Sequence, residues 1–349
     1  MKSYLPSIIL FVLLGTVRVL ACDICGCAIP NHPWEPRRGL YLGVTEQFTG
    51  FNTIQVNGGE IDNGADQYLD SSNTQLFAGY NFTSRVGLQF NVPLIHRSFR
   101  RTAGDEIETG VESGVGDVAL LGSVIPFYRN DANTTFMMKL IGGVKFPTGN
   151  SDRLREEAEE GHTHGEAEPI ETHDHGGVEE EHEGGEGTHE HEHNEEAALP
   201  ASAVHGHDLA LGSGSVDGVI GASLYARFKR VFISGEVQYS IRSEGDHDYR
   251  YANDLTWSGG PGVYLKDDPD LTFAVQLICS GESKQKDEFR GELAEDTALT
   301  AVYLGPKFSG TFRDRIAAEV EIDIPVLIDN SALQIVPDYR VRAGISVRF

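Results

Sequence analysis

Read every second residue from Asp338 to Phe349 and the chain separates into two faces. Tyr339, Val341, Ala343, Ile345, Val347 and Phe349 form one; Asp338, Arg340, Arg342, Gly344, Ser346 and Arg348 form the other. Alternation of this kind predicts a β-strand with one apolar and one polar side. The rule already holds near residue 40, where Leu40, Leu42, Val44 and Phe48 oppose Tyr41, Gly43, Thr45 and Gln47. Glu46 is an acidic intruder on the apolar side. Leu76 to Phe82 and Val86 to Leu94 keep the same phase across Thr83-Ser84, which reads as a hairpin. Further strands are expected over Ser113 to Tyr128, Thr134 to Pro147, Val216 to Phe228, Val231 to Arg242, Leu255 to Lys266, Leu271 to Ser280, Thr297 to Phe308 and Ile316 to Val326.

These segments number twelve, and the connections between them alternate in length. The turns near 83, 130, 229, 268 and 313 are short; those near 60, 105, 180, 247, 290 and 331 are longer. Outer-membrane barrels have an even strand number, short periplasmic turns and longer external loops. The fold class expected is therefore all-β, a transmembrane antiparallel barrel of about twelve strands with both termini in the periplasm. Beyond the amino terminus no run approaches the roughly 20 apolar residues of a spanning helix. The alternative is a soluble sandwich or lipocalin-like barrel, which shows much the same alternation. Inside a barrel, Glu319, Glu321 and Asp323 would lie on the polar side of one strand beside Arg340 and Arg342 of the next, placed to pair. By parity Cys279 joins the apolar face.

Lys2, the apolar Ile8 to Val17, and Val19-Leu20-Ala21 before Cys22 read as a signal segment, residues 1–21. Export implies a cell with an outer membrane and an oxidising periplasm. Residues 22–38 then form a periplasmic tail holding Cys22, Cys25 and Cys27. Three readings stand side by side: acylation of Cys22, a disulfide, or a soft-metal site on the three thiols. The barrel is expected over 39–349.

Within it, 150–208 is set apart by composition. Between Glu156 and Asp208 there are eighteen acidic residues, ten histidines and no lysine or arginine. Such a stretch has little to bury, and the expectation is a disordered external loop. His162, His164, His173, His175, His182, His189, His191, His193, His205 and His207 come mostly as His-x-His pairs. Neutral imidazole suits Zn, Cu and Ni, and interleaved carboxylates add oxygen donors, so loosely bound transition-metal ions are expected partners. The bland reading of the same composition is a hydrated acidic spacer.

Three motifs follow one another in mid-chain: Gly114-Val115-Gly116-Asp117-Val118, Lys145-Phe146-Pro147-Thr148-Gly149, and Leu211-Gly212-Ser213-Gly214-Ser215-Val216-Asp217. In this order they resemble a family of outer-membrane barrels named after the meta-cleavage pathway of phenol degradation, often labelled as transporters. The resemblance implies a channel or transporter, here for a small solute or a metal ion, and supplies no catalytic residue. Asp117 and Asp217 are expected to cap strand ends at the rim. The aromatic carboxy-terminal residue resembles the insertion signal of outer-membrane barrels, which implies outer-membrane lipid and the barrel-assembly machinery as partners. No nucleophile with a positioned base is visible, so no enzyme is expected; nor is a nucleic-acid partner or an organic cofactor. A non-transporting surface protein that buffers or senses metal is the competing function.

Overall fold

Side chains that alternate between lipid and water need a sheet that closes on itself, because an open edge leaves backbone groups unpaired in hydrocarbon. The computed structural model describes residues 37–157 and 199–349, and in it the sheet does close. Twelve strands run antiparallel: β1 (Gly39–Val56), β2 (Tyr68–Asn81), β3 (Val86–Ala103), β4 (Val118–Asn130), β5 (Thr134–Phe146), β6 (Asp217–Phe228), β7 (Val231–Ile241), β8 (Asp254–Asp267), β9 (Leu271–Lys284), β10 (Leu299–Phe312), β11 (Ile316–Asn330) and β12 (Leu333–Arg348). Each pairs with its neighbour in the chain, and β12 returns to β1 in a register running from Tyr41 opposite Arg348 to Val56 opposite Leu333. Thirteen residues, the length of β4 and β5, rise about 43 Å along the strand and about 33 Å when tilted by about 40°. That exceeds the apolar band of an outer membrane, about 25 Å.

The outward residues are apolar and uncovered. On β9, Leu277 is 52% exposed while its inward neighbour Ile278 is 3% exposed. Leu88, Ile220, Ile233, Leu304 and Ile324 are likewise exposed on their strands. A soluble sandwich would bury these faces, so that alternative is excluded. The protein is embedded in the bacterial outer membrane, and Cys279 sits exposed on the same outer face. Glu46 does point outward, but not alone. Ser72 Oγ donates to its Oε1 at 2.5 Å and Thr74 Oγ1 donates to Oε2, so the carboxylate has local partners.

Inside, large rings lie over glycines on adjacent strands. A Cβ at Gly79 would sit 2.1 Å from the Tyr41 ring, and one at Gly262 would sit 2.3 Å from the Phe232 ring. Both positions need the bare backbone for the barrel to hold inward aromatics.

Two expectations change. The segment Ser113 to Tyr128 is not one strand, and Arg100 to Glu112 is not a loop. β3 continues to Ala103 and turns back as the strand Glu106–Val115, which pairs only with β3; β4 begins afresh at Val118. This hairpin carries charge instead of an apolar stripe, with Arg101 opposite Glu108 and Arg97 opposite Glu112, so alternation cannot mark it. The second change concerns 150–208. Its two ends are folded: a short 3-10 helix at Asp152–Arg155 and a helical turn at Gly206–Leu209. They turn inward because the barrel's outer end offers apolar partners. Ala203, Val204 and Leu209 are buried with Phe51, Leu69, Phe99, Leu299 and Val336, and Leu154 and Ala210 with Tyr249 and Tyr251. Polar ties fix the plug: Gln67 Nε2 donates to Ala201 O at 3.0 Å, Ile335 N to Ala203 O at 2.9 Å, and Arg97 Nη1 to Ala210 O at 2.6 Å.

Candidate functional site

The three glycine-rich motifs meet at one point under the plug. Asp117 follows the break between the polar hairpin and β4. Its Oδ1 accepts from Gly149 N at 3.0 Å, and its Oδ2 accepts from Ser213 N at 2.9 Å and Ser213 Oγ at 2.8 Å. Lys145, at the outer end of β5, places Nζ 3.0 Å from Asp117 Oδ2 and 2.9 Å from Asp217 Oδ2. Arg242 reaches Asp217 at 2.9 Å and donates through Nε to Asp254 at 2.7 Å. The result is a buried lock of two cations and three carboxylates. The glycines permit its tightness: a Cβ at Gly149 would lie 2.5 Å from Leu211 O, and one at Gly212 would lie 2.7 Å from Asp117 Oδ1. Asp117 and Asp217 therefore do more than cap strand ends at the rim. Burial alone would raise the Asp117 pKa, but Lys145 and the Ser213 and Gly149 amides outweigh it and hold the carboxyl below its usual range.

Below the lock a ladder of charges lines the wall formed by β9 to β12. Arg340 donates through Nε to Asp323 at 3.0 Å and lies over the Tyr303 ring at 4.1 Å; Tyr303 in turn donates to Glu282 at 2.5 Å. Arg342 bridges Glu321 and Asp323, and Lys307 lies 2.9 Å from Glu319 and 3.5 Å from Glu321. The pairing follows from register, since Glu321 faces Arg342 and Asp323 faces Arg340. Next to it, β1 to β3 contribute amides, with Gln47, Gln75, Gln89 and Asn91 buried.

Three cavities succeed one another along this lumen. One of about 70 Å³ lies beside Asp117, Lys145 and Arg242. One of about 30 Å³ lies between Gln238, Glu236, Arg340 and Arg342. The largest, about 210 Å³, is bounded by Glu236, Lys307, Glu319, Glu321 and Arg342, and by Tyr225, Phe232 and Tyr264 toward the short-turn end. The first two share Gln238, and the last two share Gln47, Glu236, Ser258 and Arg342.

Of the metal ligands expected from sequence, the structure brings His205 and His207 together in the plug. Their rings stack with centroids 5.5 Å apart, and both side chains are 3% exposed. Asp208 stands beside them, and these three residues could hold a metal ion. Glu157 hydrogen-bonds His207 Nδ1 at 2.9 Å, and Asp296 Oδ2 lies 3.3 Å from His205 Nε2. Burial alone would lower the His207 pKa, but attraction to Asp208 and Glu157 raises it well above the usual imidazole value. Asp208 is pressed down by the same pairing against the opposing effect of its burial. Sequence reasoning did not single out Asp208, Glu157 or Asp296; only the acidic neighbour in His207-Asp208 offered a signal. His162, His164, His173, His175, His182, His189, His191 and His193 lie outside the described residues, as do Cys22, Cys25 and Cys27.

No family model and no curated protein matches the sequence. Solved structures do resemble it. An outer-membrane channel from Pseudomonas putida F1 superposes with a TM-score of 0.59 at 15% identity, covering 92% of this chain and 100% of that one. The transport unit of the autotransporter AIDA-I from Escherichia coli gives 0.42 at 7% identity, over 92% and 93%. The β domain of the Bordetella autotransporter BrkA gives 0.40 at 11% identity, over 88% and 99%. The first likeness is one of fold alone, and the other two are too distant to carry any argument.

Proposed function

Taking the chain as a bacterial outer-membrane β-barrel, we propose that it is a narrow channel or transporter for a small polar solute or ion. The observation that carries this reading is the row of three cavities sharing lining residues from mouth to base, each with charged and amide side chains in its wall. A lumen serving only as filler would pack side chains without such space, as barrels of about eight strands do. The charged wall gives a permeant ion alternating partners, weak enough at each position to leave again. A solved barrel of similar fold is itself an outer-membrane channel, which supports the same conclusion. Kinship with the meta-pathway barrels belongs to this proposal; the convergence of the three motifs on one lock supports it. Recognition of β12 by the barrel-assembly machinery is part of the same proposal.

The test is single-channel recording of the purified protein in planar bilayers. Discrete conductance steps are expected, and they should enlarge when Lys145→Ala loosens the lock. The apolar plug at the mouth favours one rival, a closed surface protein that buffers or senses metal. An intact barrel that never conducts, with or without residues 158–198, would establish that rival and end the channel reading.

A further inference from the structure

We infer that His205, His207 and Asp208 form a binding site for one divalent transition-metal ion of the zinc type, built into the plug at the outer mouth. The inference goes beyond the channel reading and holds whether or not the barrel conducts.

Geometry comes first. Asp208 Oδ1 lies 3.2 Å from His207 Nε2, and Asp208 Oδ2 lies 3.9 Å from His205 Nδ1. One donor atom from each residue falls within 4.8 Å of the others. Donors about 2.0–2.1 Å from a tetrahedral zinc ion stand roughly 3.3 Å apart. Closing the widest of these gaps to that spacing takes side-chain movement of up to about 1.5 Å, shared between the two rings and the carboxylate.

The second observation concerns an atom with nothing to bond. His205 Nδ1 is buried and has no hydrogen-bond partner. A buried nitrogen left in that state costs free energy unless something takes its lone pair. The other nitrogen of each ring is already engaged by an outer carboxylate. Glu157 Oε1 lies 2.9 Å from His207 Nδ1, and Asp296 Oδ2 lies 3.3 Å from His205 Nε2. Ligating histidines carry this arrangement, in which a carboxylate takes the far N–H, sets the tautomer and strengthens the donor. Once His207 gives up its second proton to an entering ion, His207 Nε2 and His205 Nδ1 are the ring nitrogens on offer, and both are turned toward Asp208.

A purely structural account makes His207 an imidazolium held between Glu157 and Asp208. That account covers His207 but leaves His205 Nδ1 orphaned. A divalent cation uses both rings and balances the three carboxylates around them. Two imidazole nitrogens and one carboxylate oxygen select Zn, Ni or Cu over Mg or Ca. Three protein ligands leave a fourth position for water or exchange. Asp296, with its side chain 21% exposed, marks the side from which an ion would enter.

The experiment uses the full-length protein in detergent, loaded with Co²⁺ or Zn²⁺ and dialysed against a weak chelator so that only tightly held metal stays. Wild type should keep one equivalent more than His205→Gln or Asp208→Asn, and its cobalt form should show tetrahedral visible bands that both variants lack. Glu157→Gln should keep the ion about 10–100-fold less tightly. Variants are compared only where they retain the heat-shifted gel migration of a folded barrel. Should they fail to fold, X-ray absorption of the zinc-loaded chain lacking residues 158–198 decides instead: a shell of imidazole nitrogen and carboxylate oxygen supports the site, and an all-sulfur shell or no retained zinc overturns it. Equal metal content and identical cobalt spectra in wild type and both variants would also overturn it.

Discussion

Lys145 and Asp217 face each other across β5 and β6 with 2.9 Å between Nζ and Oδ2, although the whole acidic, histidine-rich insertion separates them in sequence. The insertion thus enters and leaves the barrel at a locked point, and the barrel's register does not depend on what lies beyond it. Deleting residues 158–198 should therefore leave a folded barrel. Heat-modified gel migration and circular dichroism check this; loss of the compact unheated band would show that the insertion is needed for closure.

The lock is unequal in its parts. Removing Asp217 leaves Lys145 with Asp117 and Arg242 with Asp254. Removing Arg242 strips Asp254 of its arginine and leaves Asp217 to share Lys145 with Asp117. Arg242→Met should cost about 3–5 kcal/mol, the range for a buried charge stripped of its partner. Asp217→Asn should cost less, about 1–3 kcal/mol. Urea unfolding in detergent or lipid, followed by tryptophan fluorescence, compares the two. The reverse order would refute the assignment.

Acid should undo the lock late. The folded Asp117 pKa lies below its unfolded value, so its contribution is complete above the unfolded carboxylate pKa, about 3.9, and fades as pH falls through the lower folded value. The wild-type urea midpoint should fall more between pH 4 and pH 2 than that of Asp117→Asn. Parallel curves for the two proteins would exclude Asp117 as the source.

In the lumen, Lys307 faces two carboxylates, Glu319 and Glu321. Lys307→Gln removes the cation and leaves the acids lining the largest cavity. The reversal potential in a salt gradient should move toward cation selectivity, and Glu319→Gln should move it the other way. An unchanged potential in both would place conduction elsewhere.

The barrel was legible because lipid on one side and water on the other impose a period of two on every spanning strand. Parity also put Glu319, Glu321 and Asp323 beside Arg340 and Arg342, but which acid faces which arginine depends on the register. The hairpin of Arg101 and Glu108 could not, because it stands above the bilayer with charge on both sides. The lock was half legible: its motifs stood out, but their meeting depends on closure of β4 to β7 around one axis. His205 and His207 announced metal chemistry by type. Their carboxylate companions Glu157 and Asp296 come from distant segments, and no spacing rule connects them. Glu46 looked like an error of phase until Ser72 and Thr74 appeared beside it on the next strand.

The seam between β12 and β1 has a consequence for biogenesis. The contacts joining Tyr41 to Arg348 and Val56 to Leu333 are among the most sequence-distant in the molecule, and distant contacts make folding slow. Until that last pairing forms, β1 and β12 each present an open template for strand addition, which invites aggregation. A nascent chain of this design would need a chaperone or an assembly catalyst to shield those two borders until they meet.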